Sequence, residues 1–236
     1  MNVRDIARPL FPEQYSSQLS RYVDMSFEMR STVYVVDDDE VVLRAVVRCL
    51  EQVGHEVVAL PSAESFLEQY CDVGPGCLVL DLCLAGMSGH ALQEAMVERE
   101  IRIPILFMSG NAGIQDATKS LRLGAVDFLE KPLDITHLKQ RVADAIEADQ
   151  VSRSRQSRLD EIGQLIEGLS PREREIMYLV VDGLATKNIA SRLDISPKTV
   201  EVHRSKITKR MKVESVAQLV AMVTEHRLAV EAKPGT

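Results

Sequence analysis

No two of the four cysteines in this 236-residue chain stand at C-x-x-C spacing. Cys49, Cys71, Cys77 and Cys83 lie in or beside apolar runs, so they read as buried free thiols in a reducing compartment rather than a disulfide framework. No apolar run approaches about 18 residues, so no segment is expected to span a membrane. The N-terminus lacks the apolar core of a signal peptide, and a cytoplasmic protein is expected. Residues 1–30 also lack a sustained hydrophobic period. With Pro9, Pro12 and several serines they read as a loosely structured extension, with a short helix near residues 17–25. Met25 and Met29 stand just before the first strand, and translation is expected to begin at one of them.

An even spread of charge is missing too. Residues 31–150 carry 9 Lys and Arg against 20 Asp and Glu, a net of −11, whereas residues 167–236 carry 12 against 9, a net of +3. An acidic first part and a basic second part point to contact with a polyanion through the second alone. The length suits two domains, and 45% hydrophobic with 27% charged residues is ordinary globular composition.

What is present is a regular alternation of short apolar runs and amphipathic segments. Strands are expected at 33–36, 56–60, 77–80, 105–108 and 126–129. Helices are expected from Leu43 through Leu50, stopped at Gly54; at 63–70 behind Ser62; at 89–98; at 115–123, ended by Gly124; and from about Asp134 onward. Five such units predict a doubly wound five-stranded parallel sheet with right-handed crossovers. In open sheets of this kind ligands sit beyond the carboxyl ends of the strands.

Acids stand at those ends. Val33-Tyr34-Val35-Val36 runs into Asp37-Asp38-Asp39, and Leu78-Val79-Leu80 runs into Asp81. One reading is that these acids cap the following helices. The other is a shared site of Asp37, Asp38 and Asp81. Two like charges about 4 Å apart repel by about 4 kcal/mol at an effective dielectric near 20, so three carboxylates together call for a cation. Hard oxygen ligands suit Mg²⁺. Asp81 is then a candidate nucleophile, because carboxylates form aspartyl phosphates. Ser109 after the fourth run can hydrogen-bond a phosphoryl oxygen, and Lys131 after the fifth can act on it as a point charge. Pro132 makes a cis Lys131–Pro132 peptide plausible.

These motifs resemble a known family. Val36-Asp37-Asp38, Leu80-Asp81, Met108-Ser109-Gly110 and Gly124-Ala125-Val126-Asp127-Phe128-Leu129-Glu130-Lys131-Pro132 are similar to those of response-regulator receiver domains, which have a flavodoxin-like fold. The resemblance implies that Asp81 accepts phosphate from a sensor histidine kinase. It implies Mg²⁺ on Asp38, Asp81 and the main-chain carbonyl of Cys83, with Asp37 helping through water. It makes Ser109 and Phe128 a switch pair, the hydroxyl turning to the phosphate and the ring following inward. One departure is Ala85, where the family usually has proline.

Residues 150–157 are rich in Ser, Arg and Gln and nearly free of apolar side chains, and 149–164 read as a linker between a domain at 31–148 and one at 165–236. In the second, Ser170 and Pro171 open a helix reaching Val181, 186–193 form a short helix, and Ser196-Pro197 open the next. Helix, short turn and helix make a helix-turn-helix. Six basic residues between Lys198 and Lys212, against the single acid Glu201, favour double-stranded DNA. Val200, Ile207 and Met211 are expected in the core, and His203 as structural or phosphate-facing. Leu169-Ser170-Pro171-Arg172-Glu173 and Ser196-Pro197-Lys198-Thr199-Val200-Glu201-Val202-His203-Arg204 resemble the LuxR-type motif of the FixJ/NarL family. By that resemblance Glu201, Val202 and Ser205 face base edges, while Lys198, Thr199, Lys206, Lys209 and Arg210 lie nearer phosphates. It also implies a last helix, read here at 216–227, that helps pair two protomers, and RNA polymerase as a further partner.

The reading is a transcription factor, not an enzyme, controlled by phosphorylation and dimerising when phosphorylated. A haloacid-dehalogenase-type phosphatase would need a second Asp two residues after Asp81, where Cys83 stands. A vestigial receiver fits the full acid set poorly; labelling with acetyl phosphate separates it from a working one.

Overall fold

The computed structural model describes residues 31–110, 118 and 120–232, which divide into two compact units between Val151 and Ser152. The five apolar runs become β1 (Thr32–Val36), β2 (Glu56–Leu60), β3 (Gly76–Asp81), β4 (Ile105–Ser109) and β5 (Asp127–Glu130), each within about a residue of its expected limits. They form one parallel sheet in the order β2-β1-β3-β4-β5. Strands β1, β3 and β4 are buried along their whole length. That is why they read as continuous apolar runs rather than alternating ones.

Strand alternation divides the apolar side chains between two layers. Tyr34, Val36, Leu78, Leu80 and Phe107 pack under α2 (Ala63–Gln69) and α3 (Gly89–Glu98) through Phe66, Leu92 and Met96. Val33, Val35, Val79, Leu106 and Met108 pack under α1 (Glu40–Glu51) and the start of α4 (Ile135–Glu167) through Leu43, Val46, Leu50, Leu138 and Val142. Phe66 and Phe107 are fully buried, and truncating such a residue to alanine costs about 3–5 kcal/mol.

The helix starts are fixed locally. Ser62 caps α2 and Ser88 caps α3 through their side-chain oxygens. Asp39 caps α1, accepting from Val41 N at 2.7 Å and Val42 N at 3.4 Å. Gly89 opens α3 because a Cβ there would meet the Asp81 carbonyl oxygen at 2.6 Å. Helix α4 is 33 residues long and takes in the whole stretch 149–164. Within it, the Asp149 carboxylate accepts from the Gly76 amide at 3.0 Å, at the start of β3. Burial, with the charge of Asp149 added, pushes the neighbouring Cys77 thiol up to about 12.

In the second unit α5 (Pro171–Val181), α6 (Thr186–Leu193), α7 (Pro197–Arg210) and α8 (Val216–Glu231) enclose Ile176, Met177, Val180, Ile189, Leu219 and Val223. Val200, Ile207 and Met211 are in this core, as their spacing predicts, and so are Ile162 and Ile166 from the end of α4. Helix α8 runs four residues past Arg227.

Cys71 and Cys83 are exposed and Cys49 is half-buried, so only Cys77 is the buried thiol expected of all four; all are free. Cys71 follows α2 and Cys83 lies on the loop after β3, and apolar neighbours do not bury a residue on a loop. The extension at 1–30, its short helix at 17–25 and most of the helix expected at 115–123 lie outside the described residues. Lys131–Pro132 is cis. Among the described residues no helix is long and apolar enough to cross a membrane.

Candidate functional site

Asp37 immediately follows β1 and Asp81 ends β3; the two strands are adjacent and in register, with Val36 paired to Leu80. Parallel pairing therefore brings both carboxylates to one edge. One carboxylate oxygen from each of Asp37, Asp38 and Asp81 falls within 4.8 Å of the others. Asp37 and Asp81 are buried, and Asp38 is exposed. Of the three consecutive acids, the capping function belongs to Asp39, which leaves Asp37 and Asp38 for the site.

Lys131, one residue past β5, enters from the side. Its Nζ donates to Asp37 Oδ2 at 2.6 Å and to Asp81 Oδ2 at 2.7 Å. Its amide donates to the Ser109 carbonyl at 2.8 Å, tying the ends of β4 and β5 together. Burial raises the Asp37 pKa above its ordinary value, against the pull of Lys131 and of the Asp39 amide. Burial also works against the Lys131 ammonium, but its hydrogen bonds and charge contacts with Asp37 and Asp81 outweigh that and raise its pKa.

Each acid has one oxygen on a main-chain amide. Asp39 N donates to Asp37 Oδ1 at 2.9 Å, Cys83 N to Asp81 Oδ1 at 3.1 Å, and Ala85 N to Asp38 Oδ2 at 3.2 Å. Three carboxylates against one ammonium leave two negative charges in a set of hard oxygen donors, which fits a divalent Mg²⁺. Asp37, Asp38 and Asp81 could hold it, with the Cys83 carbonyl on the adjoining loop. Ser109, fully buried, ends β4; Phe128 on β5 pairs in register with Phe107 and packs half-buried against the core.

The second unit presents α7. Lys198, Thr199, Glu201, Val202, Ser205, Lys206, Lys209 and Arg210 are all exposed on it. Three are already engaged, Glu201 among them through Thr186 Oγ1 at 3.4 Å. Thr199 shares the Ser196 cap, its Oγ1 2.8 Å from Ser196 Oγ. Arg210 Nη1 donates to Glu173 Oε2 at 2.7 Å and to the Gly168 carbonyl at 3.4 Å.

Residues 33–143 match the response regulator receiver domain family, and residues 167–223 match the luxR family of bacterial regulatory proteins. The response regulator protein TmoT of Ectopseudomonas mendocina is 36% identical over 216 residues, spanning 92% of this chain and 97% of that one. The chain belongs to the response regulators of the FixJ/NarL family. Its receiver and LuxR-type domains make this response regulator a transcriptional regulator of a two-component system. The transcriptional regulatory protein FixJ of Rhizobium meliloti (strain 1021) is 38% identical over 191 residues, 81% of this chain and 94% of its own. The solved structure of the response regulator StyR superposes with a TM-score of 0.76 at 35% identity, covering 83% of this chain and 99% of that one.

Three side chains of this response regulator were missed in the sequence. Glu64 on α2 accepts the Met87 amide at 3.1 Å and so holds the loop after β3; its own amide and that of Met87 keep its carboxyl below the ordinary range. Thr186 on α6 donates to Glu201 at 3.4 Å and accepts from Arg204 at 2.8 Å, orienting two side chains of α7. Glu173, which holds Arg210, was signalled by its capping-box spacing from Ser170. For Glu64 and Thr186 no local pattern pointed to the role.

Proposed function

We propose that Asp81 is the phosphoacceptor of this response regulator and that its phosphorylation controls DNA binding by α7. The observation that carries the reading is Lys131 bridging Asp37 and Asp81 at the strand ends. That leaves a nucleophilic carboxylate beside a cation able to follow the charge onto phosphate. A sensor histidine kinase supplies the phosphoryl group. An Asp81 oxygen forms a bond to phosphorus as the bond to the kinase's histidine nitrogen breaks, and that nitrogen leaves with the electron pair. Mg²⁺, held by Asp37, Asp38, Asp81 and the Cys83 carbonyl, would neutralise charge on the transferring group. Lys131 and the Ser109 hydroxyl take two of the new phosphoryl oxygens.

The added phosphate carries roughly −1.5 to −2 charge. Ser109 and Lys131 draw the ends of β4 and β5 toward it, Phe128 follows inward, and the surface beside β5 becomes a homodimer interface. Moving that equilibrium from 1:99 to 99:1 takes about 5.5 kcal/mol, within reach of a few charge-assisted hydrogen bonds of about 1.5–3 kcal/mol each. The receiver at 31–148 acts through 149–164 on the domain at 165–236. There Glu201, Val202 and Ser205 read base edges, while Lys198, Thr199, Lys206 and Lys209 contact phosphates, with Arg210 shared between phosphate and Glu173. The protein works in the cytoplasm, and RNA polymerase is the further partner.

The test is labelling with a small phosphodonor and Mg²⁺. Asp81→Asn, nearly isosteric, should fold normally and take no label; full labelling of that variant would put the acceptor elsewhere.

A further inference from the structure

The loop that follows Asp81 grips two acids with alternate amides. Cys83 N donates to Asp81 Oδ1 at 3.1 Å, and two residues on Ala85 N donates to Asp38 Oδ2 at 3.2 Å. The same loop is anchored further along by Met87 N on Glu64 Oε1 at 3.1 Å. Lys131 bridges Asp37 and Asp81; Asp38, the exposed member of the cluster, is held by the Ala85 amide instead. A proline at position 85 would have no proton to give.

We propose that the main-chain N–H of Ala85 is a positioning group for metal binding: it fixes Asp38 Oδ2 so that the other oxygen faces the cation. This rests on the reading of Asp37, Asp38 and Asp81 as a Mg²⁺ site. An exposed aspartate at a loop–helix junction has free side-chain torsions, and ordering it when the metal arrives costs affinity. A hydrogen bond formed beforehand removes part of that cost. The bond also links Asp38, beyond β1, to the loop that carries the Cys83 carbonyl, so two groups from different strands hold a set spacing before the metal enters. Hydrogen-bond partners of metal ligands are commonly worth about 10–100-fold in metal affinity. Exposure of Asp38 to water places this one at the lower end, about tenfold.

The experiment is calorimetric titration of the full-length, unphosphorylated protein with MgCl₂, alongside its thermal unfolding without metal. Ala85→Ser keeps the amide and should bind Mg²⁺ within about twofold of the wild type. Ala85→Pro removes the amide proton and should bind about tenfold more weakly. Should the proline ring disturb folding, the discriminating variant replaces residue 85 by lactic acid, which turns that amide into an ester without adding a ring. It should show the same tenfold loss at unchanged metal-free unfolding temperature. Wild-type affinity in the ester variant, or equal losses in the serine and ester variants, would overturn the role of the amide while leaving the Mg²⁺ site intact. A wild-type protein that binds no Mg²⁺ would overturn the site itself, and this inference with it.

Discussion

Replacing Arg210 by methionine should destabilise the C-terminal unit and lower the salt slope of DNA binding by less than the full unit of an undivided phosphate contact. The guanidinium donates at 2.7 Å to a Glu173 carboxylate whose side chain is 4% exposed, whereas the Arg210 side chain is 52% exposed. Removing one partner of a fully buried pair costs about 3–5 kcal/mol, and an exposed pair is worth about 0.2–1 kcal/mol. Here half of one partner meets water, and Glu173 keeps the Ser170 amide and hydroxyl at 2.9 and 2.8 Å. The loss should be about 1–2 kcal/mol. In a unit of this size that lowers the melting temperature by about 5–10 °C. Glu173→Ala should cost more, about 2–4 kcal/mol, because Ser170 then loses its acceptor and the capping box opens. Differential scanning calorimetry of the two single variants and the double variant gives the coupling directly. If Arg210→Met melts like the wild type but loses about one unit of salt slope on DNA, the arginine serves a phosphate and not Glu173.

Lys206→Ala should weaken binding to all DNA sequences alike and reduce the salt slope by about one, measured by titration at several salt concentrations; Glu201→Ala should instead change base preference in a selection from random duplexes. Ser109→Ala should accept phosphate yet remain monomeric by light scattering in the presence of a beryllofluoride mimic. Hydrogen bonds from the Ser170 amide and hydroxyl, with the Arg210 charge adding to them, hold Glu173 below its ordinary value of 4.5. Its stabilisation is therefore present above that pH and is lost as the pH falls through the depressed value. The acid limb of unfolding should be shallower in Glu173→Gln.

The strands were legible because β1, β3 and β4 are covered on both faces, which writes an unbroken apolar run into the chain. The acid site was legible because parallel strands end level, so Asp37 and Asp81 could be placed together from strand ends alone. What could not be read were pairings between residues far apart in the chain. Lys131 reaches acids 94 and 50 residues away, and its position suggested a phosphate partner before a carboxylate one. Arg210 looked like one more member of a basic run, because its buried partner lies 37 residues upstream. Cys83 failed for the opposite reason: its neighbours Leu82 and Leu84 are buried, but a loop has no alternation that passes their burial on to it.

The strand order also bears on how the pocket is completed during synthesis. Asp37, Asp38 and Asp81 leave the ribosome well before Lys131, which follows the fifth and outermost strand of the sheet. Domains fold largely as units, with the N-terminal parts emerging first. A nascent chain that has made only β1 to β4 holds three clustered acids and no counter-cation. Adding β5 both completes the sheet and delivers the ammonium, so closure of that edge and the arrival of the Lys131 counter-charge are a single event.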